Sequence, residues 1–523
     1  MKNNENKKIK NDIIEGTISL TIATIIVKVL GAVYKIPISN ILGEEGMGYF
    51  NSAYTVYSFF YLICTAGVPK AVMILIGENK EEPVFEFKIM SAAIRFFTIL
   101  GVVISLMFLI FSNPISIVIG SRESYKTMLA IAPSILFVSV SGVLRGYLSA
   151  HTKFFHVAIS QVIEGAGKLL FGILFATIAD RLYLPLNVMS AFTIFGVTCS
   201  TIVGLVYLLI NSKKAKASEK TKQNNVVSDK DIIKDILKIS FPITVSAAIM
   251  SITNMIDLAL IMRQLISAGY SESNAAALYG NYTTYATPMF NLVVSLLTPI
   301  TIAFFPSLIK VRKNSLEFSK TLEKEFFLIF WISIPITLGM CVYRNEVLNL
   351  LFKGGGLKIG GSLLMYLSLS LFFVAPLLVL NSALESFGDT KAPMISMIIG
   401  SMFKIVVSYF MISNPKFGIF GAPIGTLVSY IVAFSVSLFI AHKQRGISPP
   451  IIKTLALPAI NSFLAVFAIY PVYLKLQIKS DIKFLISVIA TVALYILLSF
   501  FTDAKSELLN FRRKTIKRKQ IRH

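Results

Sequence analysis

Charge is what this 523-residue chain has least of. Only 15% of its residues are Asp, Glu, Lys or Arg, against 55% hydrophobic. Soluble domains carry about 25% charged and about 45–50% apolar residues. The composition therefore excludes an ordinary soluble fold and indicates an all-α polytopic membrane protein. Acids are scarcer still: 27 Asp and Glu stand against 50 Lys and Arg, a net charge of +23. In a membrane chain that excess bears on topology before it bears on nucleic acid, which is not expected as a partner. Three cysteines, Cys64, Cys199 and Cys341, lie far apart in apolar runs. They offer neither a disulfide framework nor metal-ligand spacing and are expected to be small buried residues.

Chemical motifs are missing as well. "IEGAGKLL", residues 163–170, has neither the glycine spacing nor the following Ser/Thr of a phosphate loop. No catalytic triad, metal cluster or pair of carboxylates is visible, so neither an enzyme nor a bound cofactor is expected. His151 and His156 flank a short loop and are expected to be solvated. "FKGGGLKIGG", residues 352–361, is expected to be a flexible loop. The polar start "MKNNENKKIKNDIIEG" is not followed by a small-residue cleavage site, so no removed signal peptide is expected.

What the chain does have is long apolar runs. A span needs about 20 residues, and fourteen candidates occur. They lie at 15–36, 49–76, 88–111, 125–149, 155–179, 186–210, 236–262, 275–309, 322–343, 361–385, 391–413, 418–441, 452–474 and 484–502. With the N-terminus inside, the inner segments between these spans hold 27 Lys and Arg and the outer ones 10. That bias predicts cytoplasmic termini on a plasma-membrane protein. The expected organisation is an N-tail (1–14), a first six-helix lobe (15–210) and a polar linker (211–235). A second six-helix lobe (236–441), two further helices (442–502) and a basic tail (503–523) follow. The tail "FRRKTIKRKQIRH" is expected to meet anionic membrane lipids.

The lobes carry an internal repeat. At a fixed offset of 236, residues 133–168 and 369–404 match at nine of 36 positions, Lys168 with Lys404 among them. An offset of six spans keeps orientation, which predicts a parallel repeat. Repeated halves around a central site are a transporter architecture.

Ionisable residues within spans are functional candidates by default. Lys28 and Lys35, in "KVLGAVYK", are two helical turns apart on one face. Lys70, Arg145 and Lys168 add cations in the first half. Glu164 precedes Lys168 by four residues, the favourable order for an ion pair. Lys404 has no acid one turn before it. Asp257 lies deep in the seventh span, where it suits cation or proton coupling or pairing with a lysine such as Lys404. A cavity lined by these lysines would attract an anion, and lysine is an ordinary phosphate ligand.

Three stretches carry a family resemblance: "KVLGAVYKIPISNILGEEGMGYFNSAYTVYSFFYLICTAGVPKAV", "LRGYLSAHTKFFHVAISQVIEGAGK" and "ESFGDTKAPMISMIIGSMFK". They resemble the stage V sporulation protein B-like and MurJ-like polysaccharide exporters of the multidrug/oligosaccharidyl-lipid/polysaccharide superfamily. The likeness extends over most of the chain. It implies fourteen helices in two lobes and export of an undecaprenyl-linked wall precursor, lipid II or a related saccharide, by alternating access. That activity would serve peptidoglycan or spore cortex synthesis, with cell-wall synthases as protein partners. It also implies that Lys28 and Lys35 line a central cavity. The span at 275–309 lacks the charged residue such relatives keep there, and no acid stands in the spans at 391–413 and 418–441. Sodium coupling is therefore poorly supported, and membrane potential or protons stay open. A drug/cation antiporter and a non-transporting scaffold are the rival readings. The first predicts an acidic cavity and the second needs neither repeat nor buried lysines.

Overall fold

A computed structural model of the chain describes the backbone of residues 2–78, 83–213, 228–389 and 391–520. Side chains at 2–18, 21, 28, 32, 83–84, 213, 246–247, 249–250 and 503–520 lie outside the described set. Lys28 and the basic tail fall among these.

Every regular element among the described residues is helical. Eleven helices are long and apolar enough to cross a membrane, or twelve if a pair bent by 42° at 122–150 counts as one span. The chain is thus an all-α multi-pass membrane protein, and the expected number of fourteen is not reached by this count. Two particulars account for the difference. The first two expected spans form a single element of 57 residues. The helix bearing the seventh has four undescribed side chains near its middle and is not in the count.

By packing, the chain divides into residues 1–284 and 285–523. The first unit holds α1 (Lys2–Thr65), α2 (Val68–Glu78), α3 (Pro83–Ile119), α4 (Tyr125–Ile131) and α5 (Ser134–Ala150). It continues with α6 (Phe154–Arg181), α7 (Leu186–Lys213), α8 (Asp229–Ser267) and α9 (Glu272–Asn281). The division lies within a π-helical turn at 282–286 rather than in the polar linker, because α8 packs on α1, α2 and α3. Gly67 lets the two backbones approach: a Cβ there would meet the Ser240 carbonyl oxygen at 2.3 Å.

α1 is not one rod. Gly43 has φ 64° and ψ −169°, a conformation open essentially to glycine alone. The rings of Tyr34 and Phe50 lie only 6.1 Å apart, whereas sixteen residues of straight helix would separate them by about 24 Å. The chain therefore folds back at Gly43, and the two arms face each other. α6 and α7 pack closely where Gly172 meets Gly196; a Cβ on Gly196 would lie 2.5 Å from the Gly172 nitrogen. Small residues at such crossings permit close helix approach within a membrane.

The second unit holds α10 (Thr287–Val311), α11 (Ser315–Val342), α12 (Arg344–Leu351), α13 (Leu357–Leu369) and α14 (Leu371–Ser386). Then come α15 (Lys391–Ser413), α16 (Gly421–Arg445), α17 (Ile451–Lys475) and α18 (Ser480–Gln520). The glycine-rich stretch at 352–361 is only partly a loop: α13 begins at Leu357, and Gly361 packs against Asn345.

The internal repeat is carried by helix boundaries as well as residues. Shifting α5 by 236 gives 370–386, and α14 covers Leu371–Ser386. The turn after each helix holds a left-handed residue at the same register, Thr152 (φ 58°) and Gly388 (φ 85°).

Candidate functional site

A cavity of about 480 Å³ lies inside the first unit. Both arms of α1 line it, together with α5, α6 and α7. On the first arm Thr24, Val27, Gly31 and Lys35 recur at helical spacing and present one face. The second arm contributes Phe50, Asn51, Tyr54 and Tyr61.

Four of the ionisable residues singled out in the sequence meet here: Lys35, Arg145, Glu164 and Lys168. Arg145 is 8% exposed and Glu164 7%. The Arg145 Nη2 donates to Glu164 Oε2 at 2.7 Å, and its Nε donates to Ser160 Oγ at 3.1 Å. Arg145 is therefore a buried, paired group of the cavity wall. Lys168 Nζ stands 4.0 Å from the other Glu164 oxygen and 5.9 Å from the centre of the Tyr54 ring. The i,i+4 spacing foretells the Glu164–Lys168 contact, yet the shorter bond goes to α5. Lys35 Nζ donates to the Thr283 carbonyl at 2.9 Å, and Asn51 Nδ2 to Thr284 Oγ1 at 2.9 Å. These bonds fix the Lys35 end of the cavity.

The formal balance of these four groups is +2. A lone ammonium in hydrocarbon is costly, and one carboxylate shared between Arg145 and Lys168 offsets part of that cost. What remains is a polar chamber with positive potential, suited to an anion.

The other candidates lie elsewhere. Lys70, on α2, is exposed and does not line the cavity. Asp257, on α8, is half-buried within electrostatic reach of Tyr279. Lys404 is half-buried on α15, in the second unit. The histidines are not simply solvated: His151 Nε2 lies 2.8 Å from Glu86 Oε1, and His156 Nδ1 lies 2.9 Å from the Tyr207 hydroxyl.

Two groups stand outside the candidates drawn from the sequence. The first is an aromatic run on the second arm of α1: Phe50, Tyr54, Tyr57 and Tyr61, with successive centroids 6.2, 5.8 and 5.8 Å apart. Its signal is the spacing of four, three and four residues. The second is Glu325 on α11, 0% exposed, neither of whose carboxylate oxygens has a hydrogen-bond partner. It stands only three residues inside the expected span 322–343.

Fold and cavity together define a class: a multi-pass helical membrane protein with a cationic chamber among its helices. Solved structures have the same fold. A lipid II flippase MurJ in an inward closed conformation aligns with TM-score 0.72 at 19% identity, over 93% of this chain and 99% of that one. An inward-facing multidrug resistance MATE family transporter of the MOP superfamily aligns with TM-score 0.61 at 15% identity, over 82% and 98%. The sequence profile described as "Polysaccharide biosynthesis protein" matches residues 13–312, and that described as "MatE" matches 242–410. The chain belongs to the polysaccharide biosynthesis protein family. Its relatives in Bacillus subtilis (strain 168) include the stage V sporulation protein B, 22% identical over 85% of this chain and 86% of that protein. The lipid II flippase MurJ of the same organism is 23% identical over 83% and 84%.

Proposed function

We propose that this chain carries an anionic, lipid-linked saccharide precursor from the inner to the outer leaflet of the plasma membrane by alternating access. Lipid II or a close relative is the cargo this reading favours, and no covalent chemistry is involved. The observation that carries it is the excess of cations in the cavity: Lys35, Arg145 and Lys168 against Glu164. A phosphate or diphosphate has the charge and the oxygen acceptors to bind there. A chamber built for cationic drugs needs the opposite sign, which argues against an antiporter. Relatives named as a lipid II flippase and a sporulation protein support the cargo class. Both termini are cytoplasmic in this reading, as the Lys and Arg bias predicts. Asp257 is the group we assign to proton or cation coupling, with membrane potential as the alternative drive.

The test uses cells depleted of their own lipid II flippase. They express this chain, its Lys28→Ala, Lys35→Ala variant, or its Lys35→Ala, Lys168→Ala variant, at matched membrane abundance. Lipid II accessible at the outer face is quantified. Wild type is expected to restore exposure and both variants to fail. Restoration by the variants would remove the lysines from the mechanism. No restoration by a well-inserted wild type would remove lipid II as the cargo.

A further inference from the structure

The cations account for one end of a precursor's chemistry. They leave unexplained why the wall beside them is aromatic. Phe50, Tyr54 and Tyr61 all line the cavity, and Tyr57 lies behind them, 2% exposed. The Phe50 and Tyr54 rings are nearly parallel, 8° apart. From Phe50 to Tyr61 the wall rises about 16 Å along the helix, longer than a single sugar ring. Opposite it stands Tyr34, whose ring lies 6.1 Å from that of Phe50. Tyr34 also lines the cavity and is 7% exposed, and its hydroxyl has no hydrogen-bond partner. Its hydroxyl end packs against Gly172 of α6, which anchors the ring across from Phe50.

Aromatic faces suit two classes of ligand. One is a cation, drawn to the negative face of the ring. The formal balance of +2 disfavours that class, and the cation the Tyr54 ring meets is already supplied by Lys168. The other is a pyranose, whose axial C–H bonds form an apolar, weakly positive face that lies flat on a ring. Its hydroxyls then need donors and acceptors at the rim. Gln161 and Asn51 bring amides to the same cavity.

We infer that the wall formed by Phe50, Tyr54 and Tyr61, with the Tyr34 ring opposite and the Gln161 and Asn51 amides beside it, is the saccharide subsite of this cavity. The inference rests on the proposed cargo and adds to it. The cations hold the anionic linker, and the aromatic wall selects for the sugar. It makes this chain prefer a glycosylated polyprenyl diphosphate to the bare one.

The experiment measures the Kd of the purified full-length chain in detergent for two probes, undecaprenyl diphosphate and lipid II. Both carry a diphosphate and the prenyl tail; lipid II adds the disaccharide with its stem peptide and has one ionisable phosphate oxygen fewer, so the change in the ratio on substituting the rings is the readout of the aromatic wall. Wild type is expected to prefer lipid II by about tenfold, the equivalent of one or two well-stacked rings. Tyr54→Leu, Tyr61→Leu is expected to reduce that ratio to within about threefold, whereas Tyr54→Phe, Tyr61→Phe keeps it. Lys35→Ala is expected to weaken both probes and leave the ratio intact. Monodispersity and unfolding temperature establish which variants are folded, and the phenylalanine pair keeps the test sound if the leucine pair is not. Equal Kd values for the two probes in wild type would overturn the saccharide subsite and leave the anion site standing. A ratio unmoved in a folded leucine pair, or lost in the phenylalanine pair, would overturn it too. Failure of folded wild type to bind either probe would overturn the proposed function, and this inference with it.

Discussion

Replacing Glu164 by Gln should make the cavity better at holding an anion and worse at holding itself together. The carboxylate bonds Arg145 at 2.7 Å and faces Lys168 at 4.0 Å, and both members of the closer pair are 9% exposed at the side chain. At 4 Å and an effective dielectric of about 20, one unit charge against another is worth about 4 kcal/mol. Removing one member of a buried pair typically costs about 3–5 kcal/mol, because the other is left charged and uncompensated. The variant should therefore lose stability on that scale, read as an earlier transition in equilibrium unfolding by SDS titration in mixed micelles. The formal balance of the cavity rises from +2 to +3, so inorganic pyrophosphate should bind more tightly and restore part of the lost stability by mass action. The double variant Arg145→Met, Glu164→Met, which removes both charges, should be closer to wild type than Glu164→Gln alone. Unfolding of Glu164→Gln within about 0.5 kcal/mol of wild type, the range of unremarkable surface changes, would refute the reasoning: the carboxylate would then not be the counter-charge of the cavity.

Four other substitutions test the fold. Gly43→Ala should cost about 1–3 kcal/mol, since the backbone there is open essentially to glycine and no neighbour crowds the position; the same SDS titration reads it. Thr152→Gly should gain about 1 kcal/mol by relieving a left-handed threonine, and Gly388→Thr, the repeat-related exchange, should lose a similar amount. Glu325→Met should be neutral or stabilising by thermal unfolding in detergent, because a fully buried carboxyl with no hydrogen-bond partner gives way to an apolar side chain of similar length.

How much of this was legible in the sequence depends on the kind of interaction involved. The helices were, since apolar runs of span length have one cheap solution in a bilayer. The repeat was as well in its matched residues, whereas the left-handed turn at the same register, Thr152 and Gly388, is seen only in the structure. Within the cavity, Glu164 and Lys168 share one helix, and local spacing is enough to pair them. Arg145 joins them from another helix, across nineteen residues and a turn, and nothing in the spacing ranks Glu164 above water as its partner. The fold-back at Gly43 was foreshadowed by the polar stretch between the first two expected spans, though not the glycine that performs it. The aromatic run needed no structure to be seen. Its spacing of four, three and four marks one helical face, but aromatics at that spacing more often fill a core, and only the cavity in front of Phe50, Tyr54 and Tyr61 separates the two readings.

A cationic chamber inside a membrane faces a problem that a soluble phosphate site does not. Between loadings no anion is present, and hydrocarbon cannot solvate what the anion leaves behind. Glu164 addresses this by resting against Arg145 and near Lys168. It is held by helices that do not depend on cargo, since α5 and α6 are joined by a three-residue connection and α6 packs along α7. On the proposed function, an entering diphosphate does not create the pairing of those cations; it competes for pairing already made. Binding is then weaker than three free cations would give, and release correspondingly easier. For a carrier of the proposed kind, which lets go on the far side, a moderated site is the useful one. The cavity keeps its described charges within membrane helices on these terms, with Lys35, Arg145 and Lys168 placed where a carbonyl, a carboxylate or a ring already meets them.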